Sequence, residues 1–149
     1  MTETALSLMA AEPGDWPEVE RLLESAGLPL SGVRENLAHF VVARRAARLI
    51  GAAGLEIHGA QGLLRSVVVA PEARGAGLGG RLTDAVIARA RELRLAGLTL
   101  LTETAADYFP RYGFAVIMRA ETPVDVQQSV EFQGACPQSA VVMHLPLGR

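Results

Sequence analysis

The stretch from Leu64 to Leu82, LRSVVVAPEARGAGLGGRL, constrains the fold of this chain more than any other. It begins as an apolar run that predicts a buried strand ending at Val69, and Pro71 ends that strand. Glycines from Gly75 to Gly80 then lead into an amphipathic pattern typical of a helix. The first amides of a helix lack partners within it and carry the positive end of its dipole. The stretch therefore predicts a strand, a glycine loop and a helix whose start binds a pyrophosphate.

Two other interpretations of the glycine loop stay open. Gly75, Gly77 and Gly80 fit the G-x-G-x-x-G pattern of dinucleotide-binding oxidoreductases that use NAD(P). That pattern places its first glycine directly after the strand and an acidic residue about 20 positions on. Here Ala70–Arg74 intervene, and Glu103 is the nearest candidate acid. The third interpretation is a glycine-rich turn without a ligand, which costs conformational entropy for no gain.

The remaining sequence alternates between strand and helix patterns. Strands are predicted at Ala5–Met9, Phe40–Val42, Arg48–Ile57, Gly62–Val69, Leu98–Thr102, Phe114–Met118 and Val141–Leu147. Helices are predicted from a capping box at Asp15 and Glu18 to about Gly27, and at Ser31–Leu37, Leu78–Leu93 and Ala105–Tyr112. The order predicts an α/β (mixed α+β) fold with a central mixed, mostly antiparallel sheet of six to seven strands and about four helices. Residues 1–149 are predicted to form a single domain.

Composition argues against several functions. A formal net charge of −2 with scattered arginines gives no electrostatic basis for binding nucleic acid or an anionic membrane. The sequence contains no lysine, which excludes a Walker A loop and a lysine Schiff base. No apolar run approaches the ~20 residues that span a bilayer, and a cytoplasmic location is predicted. The single cysteine, Cys136, excludes an internal disulfide, and the histidine spacing predicts no metal site.

Two motifs give the chain a resemblance to the GNAT superfamily of N-acetyltransferases. Arg74-x-x-Gly77-x-Gly79, after Val67-Val68-Val69-x-Pro71, is similar to the acetyl-CoA signature of that family. Tyr108-Phe109-x-x-Tyr112-Gly113-Phe114, preceded by Thr102, resembles its second CoA-contacting segment. More narrowly, the chain is similar to small acetyltransferases of arsenic-resistance operons (the arsinothricin type), and more distantly to amino-acid N-acetyltransferases.

The resemblance implies a GNAT fold and a transferase that moves acetyl from acetyl-CoA to the primary amine of a small molecule. An amino acid or amino-acid analogue is the expected acceptor, and a homodimer through the later strands is compatible with the family. A non-catalytic acyl-CoA-binding module remains the alternative, because Phe109 stands where many members carry a tyrosine that donates a proton.

The same resemblance implies roles for individual residues. The backbone of Val67, Val68 and Val69 would pair with the pantetheine arm as an added strand. The pyrophosphate would meet the amides of Arg74, Gly75, Ala76, Gly77, Leu78, Gly79 and Gly80. Thr102 replaces the usual asparagine beside the pantetheine, Phe109 lies in the same CoA-contacting segment, and Tyr112 is the candidate acid.

Residues on the acceptor side are predicted from their setting. Glu56, in an apolar strand, is the candidate general base and acceptor contact, acting directly or through water. On a period of two, Arg65 shares a face with Leu63, Val67 and Val69. A buried arginine needs an anionic partner, which is either Glu56 or a carboxylate of the substrate. Asn36, in the second predicted helix, is a further candidate acceptor contact.

Overall fold

The computed structural model describes residues 6–135 and 139–148. Seven strands form one sheet in the order β1-β2-β3-β4-β5-β7-β6. Their bounds are β1 Leu6–Ala10, β2 Phe40–Arg45, β3 Arg48–His58, β4 Gln61–Val69, β5 Gly97–Thr102, β6 Ala115–Ile117 and β7 Val141–Pro146. β4 and β5 are parallel, whereas β1–β2, β2–β3, β5–β7 and β6–β7 are antiparallel. The predicted mixed, mostly antiparallel sheet is confirmed.

Helical segments stand at the four predicted places. Two are α-helices, α1 (Trp16–Ser25) and α2 (Leu78–Glu92). The other two, Arg34–His39 and Phe109–Tyr112, are short 3₁₀ helices, a form suited to pieces of a few residues. Further single turns include one at Glu131–Ala135, where Gly134 has a φ of 127°. That turn occupies part of the segment 122–139, which the sequence pattern left unassigned.

The chain divides into two compact units. The first runs to Gly54 and includes Ser66–Val86. A buried apolar cluster in this unit includes residues of α1, of the 3₁₀ segment Arg34–His39 and of strands β2 and β3. Its members include Val19, Leu23, Val33, Leu37, Phe40, Val42 and Ala52.

Asp15 shows a local departure from the predicted helix cap. Its Oδ2 accepts a hydrogen bond from the Glu12 amide at 2.8 Å, and its Oδ1 pairs with Arg44 at 2.5 Å. Glu18 also binds Arg44, at 2.8 Å. The expected capping box between Asp15 and Glu18 is therefore wrong, because both carboxylates bind a guanidinium on β2 instead.

The second unit contains Leu55–Arg65 and the chain from Ile87 onward. β4 and β5 pair only over Gln61–Leu63 and Gly97–Thr99, after which β4 continues to Val69. β5 pairs with β7 along its whole length. The core here includes the fully buried Leu55, Leu63, Leu98 and Met143. Thr99, also fully buried, hydrogen-bonds through Oγ1 to Nδ1 of His144 at 3.1 Å.

His144 should make the fold sensitive to acid. Burial lowers the pKa of His144 below the ordinary value of an imidazole. The folded chain then binds fewer protons at this residue than the unfolded chain does. The free energy of unfolding therefore falls as pH drops below the unfolded value of about 6.5 toward the lower folded value, and it is unaffected well above about 6.5.

We expect His144→Gln to lose this part of the acid sensitivity. In urea unfolding at about pH 7.5 and about pH 5, the variant should show a smaller difference in stability than the parent protein. Equal differences in the two proteins would contradict the assignment to His144.

No helix among the described residues has the length and apolar character needed to cross a membrane. In the same part of the chain, no three His, Cys, Asp or Glu side chains are grouped to hold a metal ion.

Candidate functional site

The glycine loop lies in the first unit and connects the end of β4 to the start of α2. A 3₁₀ turn at Pro71–Ala73 follows β4, and Gly75 and Gly77 then take left-handed conformations with φ of 89° and 81°. A Cβ built on either glycine would meet no described atom within 4 Å. The loop is thus open on that side and leads directly into the first turn of α2. Open glycines before the free amides of a helix start fit a pyrophosphate group.

The residues of the loop differ in how far they are buried. Arg74, Gly75, Ala76 and Gly77 are exposed, and Gly79 and Gly80 are half-buried. Arg74 folds back on the strand, because its Nε donates to the carbonyl oxygen of Val69 at 3.0 Å. Leu78 is buried, and its Cδ2 lies 3.3 Å from where a Cβ on Gly51 would stand. Only the backbone of Leu78 is therefore suited to the predicted phosphate contact.

The predicted alternation along β4 is wrong. Ser66 has a φ of 60°, a left-handed conformation that is uncommon for any residue except glycine. Such a residue interrupts the pleat, as at a β-bulge, so a period of two cannot be carried from one side of it to the other. Accordingly, Arg65 and Val68 are buried, while Val67 and Val69 are half-buried. Arg65 does not share the environment of the two valines with which it was grouped.

Four polar side chains, which we call the Glu56 cluster, come together in the second unit: Glu56, His58, Arg65 and Glu131. Arg65 donates from Nη1 to Oε2 of Glu56 at 2.7 Å, and its Nε lies 3.4 Å from Oε2 of Glu131. The Arg65 side chain is 0% exposed, and those of Glu56 and Glu131 are 3% and 5% exposed. Of the two partners that the sequence left open for Arg65, the structure supplies Glu56.

His58 completes the Glu56 cluster at its more exposed end. Its Nε2 lies 2.8 Å from Oε1 of Glu56, and its side chain is 23% exposed. Sequence analysis missed this pair and also missed Glu131. The i, i+2 spacing of Glu56 and His58 was a usable signal, since it places both on one face of a strand. Glu131 gave no such signal, because it lies in a segment without regular periodicity.

The second predicted CoA-contacting segment also lies in the second unit. Thr102 accepts a hydrogen bond on Oγ1 from the Ala105 amide at 2.9 Å. Phe109 is buried and packs edge-on against Tyr108 and Phe114, with ring centroids 5.2 and 5.9 Å apart. Its ring is thus a core element, which leaves its predicted contact with the cofactor to the backbone. Tyr112 is half-buried, and its hydroxyl shares a hydrogen bond of 2.7 Å with the hydroxyl of Tyr108.

Asn36 is the remaining residue that was predicted to contact the acceptor. Asn36 is half-buried in the 3₁₀ segment of the first unit, and its Nδ2 donates to the carbonyl oxygen of Gly32 at 2.8 Å. This bond closes a local turn, and the predicted contact of Asn36 with the acceptor stays a prediction. Cys136 lies outside the described residues.

Comparisons with known proteins agree with this fold and loop. The model of the acetyltransferase (GNAT) domain matches residues 36–116. An amino-acid acetyltransferase of Neisseria meningitidis is 28% identical over an alignment of 130 residues, and the match covers 81% of this chain but only 30% of that protein. The chain therefore spans less than a third of the length of this relative.

Two solved structures share the fold. N-acetylglutamate synthase from Neisseria gonorrhoeae, complexed with coenzyme A and N-acetyl-glutamate, superposes with a TM-score of 0.82 at 24% identity, covering 99% of this chain and 36% of that one. The ribosomal-protein-S18-alanine N-acetyltransferase from Escherichia coli gives a TM-score of 0.73 at 16% identity, covering 97% and 96%.

The fold, the glycine loop and the domain match together define an acetyltransferase (GNAT) domain. The chain belongs to the GNAT acetyltransferase family. The narrower resemblance to acetyltransferases of arsenic-resistance operons stays a prediction.

Proposed function

We propose that this protein transfers acetyl from acetyl-CoA to the primary amine of an amino acid or an amino-acid analogue, arsenic-containing analogues included. The glycine loop at the start of α2 is the observation that carries the acetyl-CoA half of the proposal. The relatives support the acceptor half, since one is an amino-acid acetyltransferase and another was solved with N-acetyl-glutamate.

The first unit would hold the CoA part of the donor. Backbone amides from Arg74 to Gly80 would donate to the pyrophosphate, and the positive end of the α2 dipole would favour its charge. The backbone of Val67–Val69 would pair with the pantetheine arm. Acetyl-CoA supplies an activated thioester, and the protein needs to orient it and to manage protons.

The second unit offers the groups for proton transfer. With His58 neutral, the Glu56 cluster holds two carboxylates and one guanidinium, so its formal charge is negative and suits an approaching ammonium. Glu56, the base predicted from the sequence, is the centre of this cluster, and the cluster as a whole would supply the basic function. Tyr112, with Tyr108 hydrogen-bonded to its hydroxyl, is the candidate that would protonate the departing thiolate.

Isothermal titration with acetyl-CoA, NAD and NADP, followed by thiol release with a panel of amino acids that includes L-glutamate, tests the proposal. Micromolar binding of acetyl-CoA alone, with turnover of at least one amino acid, is the expected result. Binding without turnover on any primary amine would favour the acyl-CoA-binding module. A preference for NAD or NADP would contradict the proposal. A cytoplasmic location, a homodimer and a single domain over residues 1–149 stay predictions beside it.

A further inference from the structure

The contacts of Glu56 bear on how it could act as a base. Its Oε2 accepts from Arg65 and its Oε1 bonds to His58, so both carboxylate oxygens already have a strong partner. The side chain is also only 3% exposed. A carboxylate that is buried this deeply is poorly accessible to an acceptor, and protonating it would weaken its buried ion pair with Arg65.

His58 has the complementary properties. It is the most exposed member of the Glu56 cluster, at 23%. Imidazole is the side chain that exchanges protons near neutral pH. When Nε2 carries a hydrogen and donates it to Glu56, Nδ1 keeps a lone pair that can accept a proton. Within the described part of the chain, the bond to Glu56 is the only polar contact of the His58 ring.

We propose that His58, positioned by Glu56, is the group that takes the proton from the acceptor's ammonium. This inference rests on the proposed function. The N–H bond of the ammonium breaks, its electron pair stays on the amine nitrogen, and the proton moves to Nδ1 of His58. The amine then attacks the thioester carbonyl, the C–S bond breaks, Tyr112 gives its proton to the thiolate, and the second amine proton restores the Tyr112 hydroxyl. The imidazolium releases its proton to water, so that one proton is produced for each acetyl transferred.

The surrounding charges favour this assignment. Glu56 faces His58 directly, and Arg65 and Glu131 lie behind Glu56. The carboxylate of Asp125, the residue that precedes the 3₁₀ turn Val126–Gln128, lies against Gly59, which follows His58 in the sequence. The imidazolium that forms would therefore stand among more negative than positive charges. Arg65 donates to Oε2 of Glu56, which leaves Oε1 as the acceptor for the Nε2 hydrogen.

His58→Gln is the decisive variant, because glutamine keeps a hydrogen-bond donor for Glu56 but cannot take a proton at neutral pH. We expect kcat with L-glutamate, or with the best amino acid of the panel, to fall on the order of 100-fold, the usual contribution of a general base. The KM of the acceptor and the affinity for acetyl-CoA should change little. The acid limb of the kcat/KM profile against pH should disappear, which a purely structural role would not produce.

His144→Gln is the matched control, since His144 is also half-buried but bonds to a threonine rather than a carboxylate. It should leave kcat and the acid limb unchanged. Nitrogen NMR of the His58 ring gives a reading that needs no turnover: in the neutral form of the ring we expect the hydrogen on Nε2 rather than on Nδ1.

The outcomes separate this inference from the proposed function. A parent protein that turns over amino acids, with His58→Gln within about twofold in kcat and with the same pH profile, would overturn the role of His58 alone. A neutral ring that carries its hydrogen on Nδ1 would overturn it as well. A parent protein that binds acetyl-CoA but acetylates no primary amine would overturn the proposed function, and this role with it.

Discussion

Gly77→Val should weaken acetyl-CoA binding by at least about 100-fold while the protein remains folded, a loss of about 2.7 kcal/mol of binding free energy. Gly77 has a φ of 81°, and a β-branched residue in that region costs about 1–3 kcal/mol. The loop would relax away from this conformation, and its amides would no longer converge on the pyrophosphate. The valine would also occupy the open side of the loop from which a phosphate approaches. Isothermal titration measures the change.

Gly27→Val is the matched control for this experiment. Gly27, after α1, has a φ of 72°, and a Cβ there would likewise meet no described atom within 4 Å. The same substitution therefore imposes a similar backbone strain at a position without a proposed ligand. It should lower the melting temperature about as much as Gly77→Val does and leave acetyl-CoA affinity unchanged. Equal losses of affinity in the two variants would show that the loop is not the binding element.

Arg65→Met should be among the most destabilising single substitutions in the chain, at about 3 kcal/mol or more in the free energy of unfolding. The Arg65 side chain is 0% exposed and neutralises two carboxylates that are themselves buried. Methionine fills a similar volume without the charge, so Glu56 and Glu131 would be left facing each other in a medium of low polarity. Urea denaturation, followed by circular dichroism, measures the loss.

Two further variants show whether charge is the cause. Arg48→Met removes an arginine that pairs with Glu72 at the surface, where its side chain is 66% exposed, and should change stability by less than about 0.5 kcal/mol. Adding Glu131→Gln to Arg65→Met should restore part of the lost free energy of unfolding, because one of the two buried, unpaired carboxylates is then removed. If Arg65→Met were as mild as Arg48→Met, the buried ion pairs would not be important for the fold.

The features that sequence analysis predicted are those that neighbouring residues encode. Apolar runs bounded by glycine and proline were enough for the strands, and the loop from Gly75 to Gly80 combines a turn with a helix start in one short stretch. Even the pairing of Arg65 with Glu56 was one of two stated alternatives. It follows from the high cost of burying a guanidinium without an anionic partner.

The features that sequence analysis missed depend on tertiary contacts. Glu131 reaches Arg65 from a segment whose sequence has no helical or strand period, so nothing local indicated its role. The packing of the Phe109 ring against Tyr108 and Phe114 was not indicated by its motif either, and its contact with the cofactor stays a prediction. The backbone conformation of Ser66 could not be foreseen either, because serine has no marked preference for the left-handed region.

The left-handed conformation of Ser66 makes the number of residues in β4 as important as their chemistry. A single deletion or insertion next to Ser66 would rotate Val67–Val69 by one step of the pleat and exchange their inward and outward sides. Substitutions that accept a positive φ, such as Ser66→Gly or Ser66→Asn, would leave that count and its geometry intact. Related chains should therefore vary in the side chain at this position far more readily than in the spacing between Arg65 and the glycine loop.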